Sequence, residues 1–261
     1  MSETPSFPTS LGTSTEDTIS LLGQDLSTDL IGHVGFGELA YWLMTLQRPT
    51  PGQTRMFEAV LVALADHGFT PTAIAARVTL LSAPDSLQGA LAAGLLGGGS
   101  RYLGVTEDTG VFLASALAGA DLPADEAAWD ALAREVVEAR RSAGKFVPGL
   151  GHPVHKHGDP RTPVIIAIAH DSGVYGPHLA LFEAIGRTHA GILGKQLPLN
   201  GAGVCGAALA DLGLSPELLR GVALLARCAG LLGQLAEEMR RPIADAIYRT
   251  VDRNAEYIDP Q

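Results

Sequence analysis

Residues 146–163 read FVPGLGHPVHKHGDPRTP and gather His152, His155 and His157 with Lys156, Asp159 and Arg161. Four chemistries are open to such a strip: a metal site, a phosphate-binding loop, a pH-sensitive turn, or part of a catalytic centre. Helical zinc motifs repeat their ligands at i and i+4, and knuckles join two separated pairs. Here Pro153 interrupts the histidines and no nearby Cys or Glu completes a set, so no metal is expected, and His155 and His157 read as surface residues. GLGHP followed by DPR stays distinctive, because the glycines free a backbone that presents His152 ahead of a fixed Arg161. An imidazole can donate to or protonate a carbonyl oxygen while a guanidinium holds a carboxylate in bidentate fashion.

Other residues invite the same scrutiny. His67 ends an apolar run in LADHG, where a histidine also suits the last carbonyls of a helix. GGGSRYLG, residues 97–104, is a glycine-rich turn whose N–H groups can approach an anion, although it lacks GxGxxG and a Walker lysine. Arg227 interrupts the apolar GVALLARCAGLLGQL, where a charge is costly unless paired. Arg241 precedes Pro242 at a helix end, a place where the helix dipole alone favours a cation. A tricarboxylate-like anion accounts for Arg161, Arg227 and Arg241 together; ion pairs with the chain's own acids account for them equally well.

The elements that must position these residues are helical. FGELAYWLMTLQ, TRMFEAVLVALADHG, ADEAAWDALAREVVEARRSAG and GPHLALFEAIGRTHAGI all space apolar residues at helical period, with Gly and Pro between the runs. VIIAIA alone is β-branched enough to suggest a strand, and it follows Pro163, which suits the first position of a helix. The expectation is an all-α protein of ten to twelve helices, with residues 1–18 a flexible, Ser/Thr/Pro-rich arm.

Composition narrows the function. The 261 residues are 46% hydrophobic and 18% charged, a globular balance, and carry a net charge of −10. So acidic a chain is a poor partner for nucleic acid or a membrane surface, while a local basic pocket for a small anion is unaffected. Apolar runs such as LQGALAAGLLGGG fall short of the roughly 20 residues that span a bilayer. The N-terminus lacks an apolar signal region, so a cytoplasmic protein is expected. Cys205 and Cys228 lie outside any CxxC pattern and read as buried free thiols.

VPGLGHPVHKHGDPR, ADHG followed by AARV, ARCAGLLGQL and RRP, in that order, resemble the motifs of the citrate synthase superfamily over residues 23–247. The resemblance implies an all-helical fold with a large domain (19–103 and 215–261), a small domain (104–214), an active site in the cleft, and a homodimer. It implies that His67 and His152 contact the four-carbon acid, oxaloacetate or citrate. Arg161 and Arg227 would bind its carboxylates, and Arg241 would reach the partner subunit's site. His152 would polarise the reacting oxygen or exchange its proton, and Val147, Pro148, Gly149, Leu150 and Gly151 would lie beside coenzyme A. No tightly bound cofactor is implied, coenzyme A being part of the substrate.

Two positions depart from the family pattern. Tyr102 stands where the family's enolising histidine is expected, and Ala202 where its catalytic aspartate is expected. Synthesis must take a proton from the acetyl-CoA methyl group, and Ala202 can accept none. Cleavage of citryl-CoA needs a base on the hydroxyl, with His152 in that role, and a hydroxyl such as that of Tyr102 on the departing enolate. The resemblance therefore runs to the short citryl-CoA lyases and the lyase module of ATP-citrate lyase. The alternatives are a relative that binds citrate or coenzyme A as a sensor, and a citrate synthase.

Overall fold

Helical periodicity becomes helix along most of the chain in the computed structural model, which describes residues 6–119 and 121–260. Twelve α-helices follow one another among the described residues: α1 (Phe36–Thr45), α2 (Pro51–Leu64), α3 (Pro71–Ser82), α4 (Leu87–Leu96), α5 (Ser100–Leu103), α6 (Val105–Leu117), α7 (Glu126–Ser142), α8 (Arg161–Asp171), α9 (Pro177–Leu193), α10 (Gly201–Asp211), α11 (Leu219–Arg240) and α12 (Ala244–Arg253). Local chemistry sets several of the starts. Thr50 and Gln53 close a capping box on α2 with Pro51 in its first turn, and Thr70 caps α3 ahead of Pro71. Buried Asp211 accepts from the backbone N–H groups of Gly176, His178 and Leu179, which ties the start of α9 to the end of α10.

The main core joins α1, α2 and α6 to α11 through Phe57, Leu113, Phe182, Leu209 and Leu219, and a smaller cluster joins α3, α4 and α11 through Ala76, Leu80, Ala90, Leu231 and Leu235. Helix α10 is buried on nearly every side, which its run of Gly, Ala and Val permits. A Cβ on Gly206 would stand 2.1 Å from the carbonyl oxygen of Thr106, so α6 approaches that closely only because the residue is glycine. Arg77, 1% exposed, crosses from α3 to α11 and donates to Gln234, Glu237 and Glu238. Glu238 also accepts from the N–H groups of Ile243 and Ala244 at the start of α12, so one buried ionic network holds three helices.

Three sequence expectations change. Part of the supposed arm is ordered: β1 (Gly12–Ser14), β2 (Ile19–Leu21) and β3 (Gln24–Asp25) form a small antiparallel sheet in sequence order. Its β2–β3 turn places Leu22 and Gly23 at positive φ, the geometry of a tight hairpin, while residues 1–5 lie outside the described residues. Second, α8 begins at Arg161, so Pro163 sits within its first turn, where a missing N–H leaves no bond unmade. Third, Pro216–Arg240 is long and apolar enough to cross a membrane. That segment packs here against α2, α3, α4 and α6 as a core helix. Cys205 is buried on α10, where burial pushes its thiol up to about 12, and Cys228 is half-buried on α11.

Candidate active site

The loop bearing His152 is pinned from the facing segment. The N–H of Gly151 donates to Pro198 O at 2.8 Å, that of Asn200 to Gly149 O at 2.8 Å, and the Asn200 amide to Gly151 O at 2.9 Å. Gly149 has φ +81°, and a Cβ there would meet Phe182 at 2.5 Å. Only glycine allows this crossing. Asn200 also caps α10, accepting from the N–H of Ala202, so a single side chain sets both the loop and the helix that faces it.

His152 Nδ1 accepts from the N–H groups of Val154 at 3.1 Å and His155 at 2.9 Å. The neutral ring therefore carries its proton on Nε2 and offers a donor. Burial, with His155, His67 and Arg161 nearby, holds its pKa below the ordinary value despite the opposing pull of Asp159. This corrects the role given to His152 as base on the hydroxyl: accepting a proton at Nε2 would require giving up both backbone contacts.

Around it the loop after α2 brings His67, whose ring lies 5.5 Å from that of His152 and 5.6 Å from that of His155. His155 is half-buried with its ring 4.4 Å from His152, not the surface residue its spacing suggested, whereas His157 is exposed. The fold thus assembles three imidazoles whose ligand atoms lie within 4.8 Å of one another, a set that proximity in sequence could not reveal because His67 comes from 85 residues away. Their proximity alone would suit a transition metal. The fixed Nε2–H of His152 and the guanidiniums of Arg161 and Arg227 in the same cavity suit an anion better.

The two arginines are satisfied differently. Asp159 is buried and receives Arg161 Nε at 3.0 Å and Nη2 at 2.8 Å, with further N–H groups from Arg161 and Gly201. Burial opposes ionisation of Asp159, yet these donors together outweigh it and hold the carboxyl far below the usual range. Arg161 Nη1 reaches Ala63 O at 3.2 Å, so this guanidinium is largely engaged inside the protein. Among the described residues Arg227, 7% exposed on α11, has only 3.4 Å contacts to Thr70 Oγ1 and Leu64 O, and its Nε is without a partner. Burial lowers its pKa, partly offset by Asp66. A buried guanidinium so poorly paired is chemically suited to an anion.

His67, His152, Arg161 and Arg227 line one cavity of about 340 Å³ with Asn200, Ala202, Tyr102 and Arg101. No described residue of that lining is Asp or Glu. Tyr102, 51% exposed, stands on the single turn α5. Arg101 beside it, like Asn200, was missed in the sequence, where the turn drew notice for its glycines rather than its arginine. Arg241 is exposed at the end of α11 and outside this cavity, so the chain does not itself bring Arg161, Arg227 and Arg241 together. Their distance follows from the helix: residues 227 and 241 lie nearly four turns apart on α11, roughly 20 Å at 1.5 Å per residue.

His152 and Pro153 also border a second cavity of about 840 Å³, lined by Val147, Leu150 and Gly151 with Arg141, Lys145, Lys156 and Lys195. Pro148 and Gly149 turn away from it and line a separate 640 Å³ cavity with Phe112 and Phe146. The five-residue loop is thus shared between two cavities.

An all-helical fold with a cationic cleft built on PGLGHP and DPR defines a class, and residues 23–250 match the citrate synthase C-terminal domain family, to which the chain belongs. Among its relatives, the citrate synthase of Deinococcus radiodurans is 29% identical over 251 residues, which cover 91% of this chain and 61% of that protein. The chain therefore spans about three fifths of that relative's length. The structure of citryl-CoA lyase from Hydrogenobacter thermophilus matches with a TM-score of 0.85 at 28% identity, covering 98% of this chain and 95% of the other. ATP citrate lyase from Methanothrix soehngenii, in complex with citrate and coenzyme A, matches with a TM-score of 0.80 at 22% identity over 100% of this chain and 43% of that one. At that identity the second structural likeness speaks for the fold alone.

Proposed function

We propose that the chain cleaves citryl-CoA, or a related 3-hydroxy-3-carboxyacyl-CoA, to acetyl-CoA and oxaloacetate or its analogue. The observation that carries this reading is the acid cavity: guanidiniums, imidazoles and a phenol line it, and among the described residues no carboxylate does. The likeness to a structure named citryl-CoA lyase, over nearly the whole of both chains, supports it.

The bond to break joins the carbinol carbon to the methylene beside the thioester carbonyl. Arg227, with the outward part of Arg161, would hold the carboxylates. His152 Nε2–H would donate to the carbinol oxygen and orient it. His67, which has no hydrogen-bond partner among the described residues, would take the hydroxyl proton as the carbonyl forms. The electron pair of the broken bond passes to the thioester as an enolate, to whose oxygen the Tyr102 hydroxyl can donate a hydrogen bond. His67 then gives up that proton, which reaches the enolate carbon directly or through water and completes acetyl-CoA. Neighbouring Lys145, Lys156, Lys195 and Arg141 suit the phosphates of coenzyme A in the larger cavity. We place the acid cavity between the large and small domains of the expected division, and the Arg241 of a second copy at its edge.

Incubation with citryl-CoA and coupling of oxaloacetate to malate dehydrogenase tests the reading through loss of NADH absorbance. Absence of turnover of citryl-CoA and its hydroxyacyl relatives by folded protein sinks it. Tyr102→Phe is expected to lower kcat by about tenfold to a hundredfold with little change in KM, since the hydroxyl acts on charge that develops in the transition state. An unchanged kcat removes that hydroxyl from the mechanism. Ala202 favours one other reading, a sensor that binds citrate or coenzyme A without turnover. Calorimetric binding of either ligand by a protein inert towards citryl-CoA would establish it. Synthesis of citrate asks for a carbon-acid base, and the cavity offers no carboxylate for that step.

A further inference from the structure

His189 is completely buried on α9 and takes no part in the chemistry of the acid cavity. Its Nε2 accepts from the backbone N–H of Leu197 at 2.9 Å. That leaves the ring proton on Nδ1, which donates to Ile185 O, one turn earlier, at 2.9 Å. Both nitrogens are therefore used. A leucine would fill this place in the core with no polar group to satisfy, so the imidazole is there for what it holds. What it holds is a segment that leaves α9 at Gly194, where φ is +68°, and runs in no helix to Asn200.

We propose that His189 is a positioning residue, which sets the wall of the larger cavity for a coenzyme A thioester. This rests on the reading of that cavity as the coenzyme A side of the site. Lys195, Gln196, Leu197 and Pro198 form part of its lining. From Leu197 onward each residue is tied to another element. Leu197 N–H is held by His189, Pro198 O accepts from Gly151 N–H at 2.8 Å, Leu199 O from the Thr162 hydroxyl at 3.0 Å, and Asn200 N–H donates to Gly149 O at 2.8 Å. His189 makes the first of these ties. Lys195 and Gln196 hang between it and the Gly194 cap, with no hydrogen bond of their own among the described residues. The groups that suit carboxylates are fixed elsewhere: Arg227 stands on α11, and Arg161 on α8 is held by Asp159. Loss of the His189 tie therefore loosens the larger cavity and leaves the acid cavity's arginines in place.

Calorimetric titration of the wild type, H189L and H189Q, with coenzyme A and separately with citrate, isolates the tie. H189L leaves the Leu197 N–H unpaired and should weaken coenzyme A by about tenfold while changing citrate by less than about twofold. H189Q, whose amide oxygen can accept from that N–H, should recover most of the loss. A role in stability alone would move both ligands together or neither, so H189L without the split, or H189Q no better than H189L, overturns the assignment. Should H189L not fold, amide hydrogen exchange in H189Q decides: protection of Leu197 and affinity for coenzyme A are expected to be kept or lost together, and either lost without the other overturns the assignment. Wild-type protein that binds citrate and no coenzyme A overturns the assignment and the reading of the larger cavity alike. The split in a protein that never turns over citryl-CoA keeps the assignment and removes the lyase.

Discussion

Arg161 and Arg227 line the same cavity and differ in what satisfies them. Arg161 is held by a buried aspartate, so its first task is to fix the start of α8 against α2. Asp159→Asn is expected to cost about 3–5 kcal/mol in chemical denaturation, because it leaves a half-buried guanidinium without its anion. Asp159 ionises far more readily folded than unfolded. Its contribution is therefore present above the unfolded value near 3.9 and is lost as pH falls through the lower folded value. Stability measured across that acid window should fall more steeply for the wild type than for Asp159→Asn. Arg227 is the converse case. Arg227→Gln should weaken citrate binding by about tenfold or more while leaving the melting temperature level or raised, since a poorly partnered buried cation is removed. A large loss of stability with unaltered citrate binding would falsify its assignment as the anion site.

At the scale of elements, the strip that bears His152 is a loop whose shape is imposed by its neighbours. Gly149 crosses against Phe182 on α9 and Thr109 on α6, and Asn200 at the head of α10 holds the next peptide. Gly149→Ala combines a positive φ with a contact no Cβ can keep. The expected outcome is a loss of about 1–3 kcal/mol and a displaced His152, seen as activity falling further than the melting temperature alone explains. Much of the helical framework was legible from period and prolines: Pro71 marks the start of α3 in the sequence as in the fold, whereas α2 begins at Pro51, three residues before the expected Thr54. The small N-terminal sheet was not, because its strands are two or three residues long and largely exposed, with no alternation to read.

At the scale of the molecule, α2 and α8 leave an apolar groove of about 370 Å³ lined by Ala59, Val62, Ala63, Val164, Ile165 and Ile168, with Val62 and Val164 exposed. Val62→Glu puts a charge on the exposed part of this face and should leave the melting temperature nearly unchanged, which thermal denaturation checks.

The sequence by itself determined the helical class, the family, and the chemical types at His67, His152, Arg161 and Arg227, because periodicity and motif order are properties of the chain. It also carried the two departures from the family pattern that the resemblance implies, at Tyr102 and Ala202. Only the tertiary structure decided that His155 joins His67 and His152, that Arg161 is already paired, that Arg241 stands apart, and that Arg101 shares the cavity. Those facts depend on which residues distant in the chain meet, and on which hydrogen-bonding groups their neighbours have already used. A local spacing records neither.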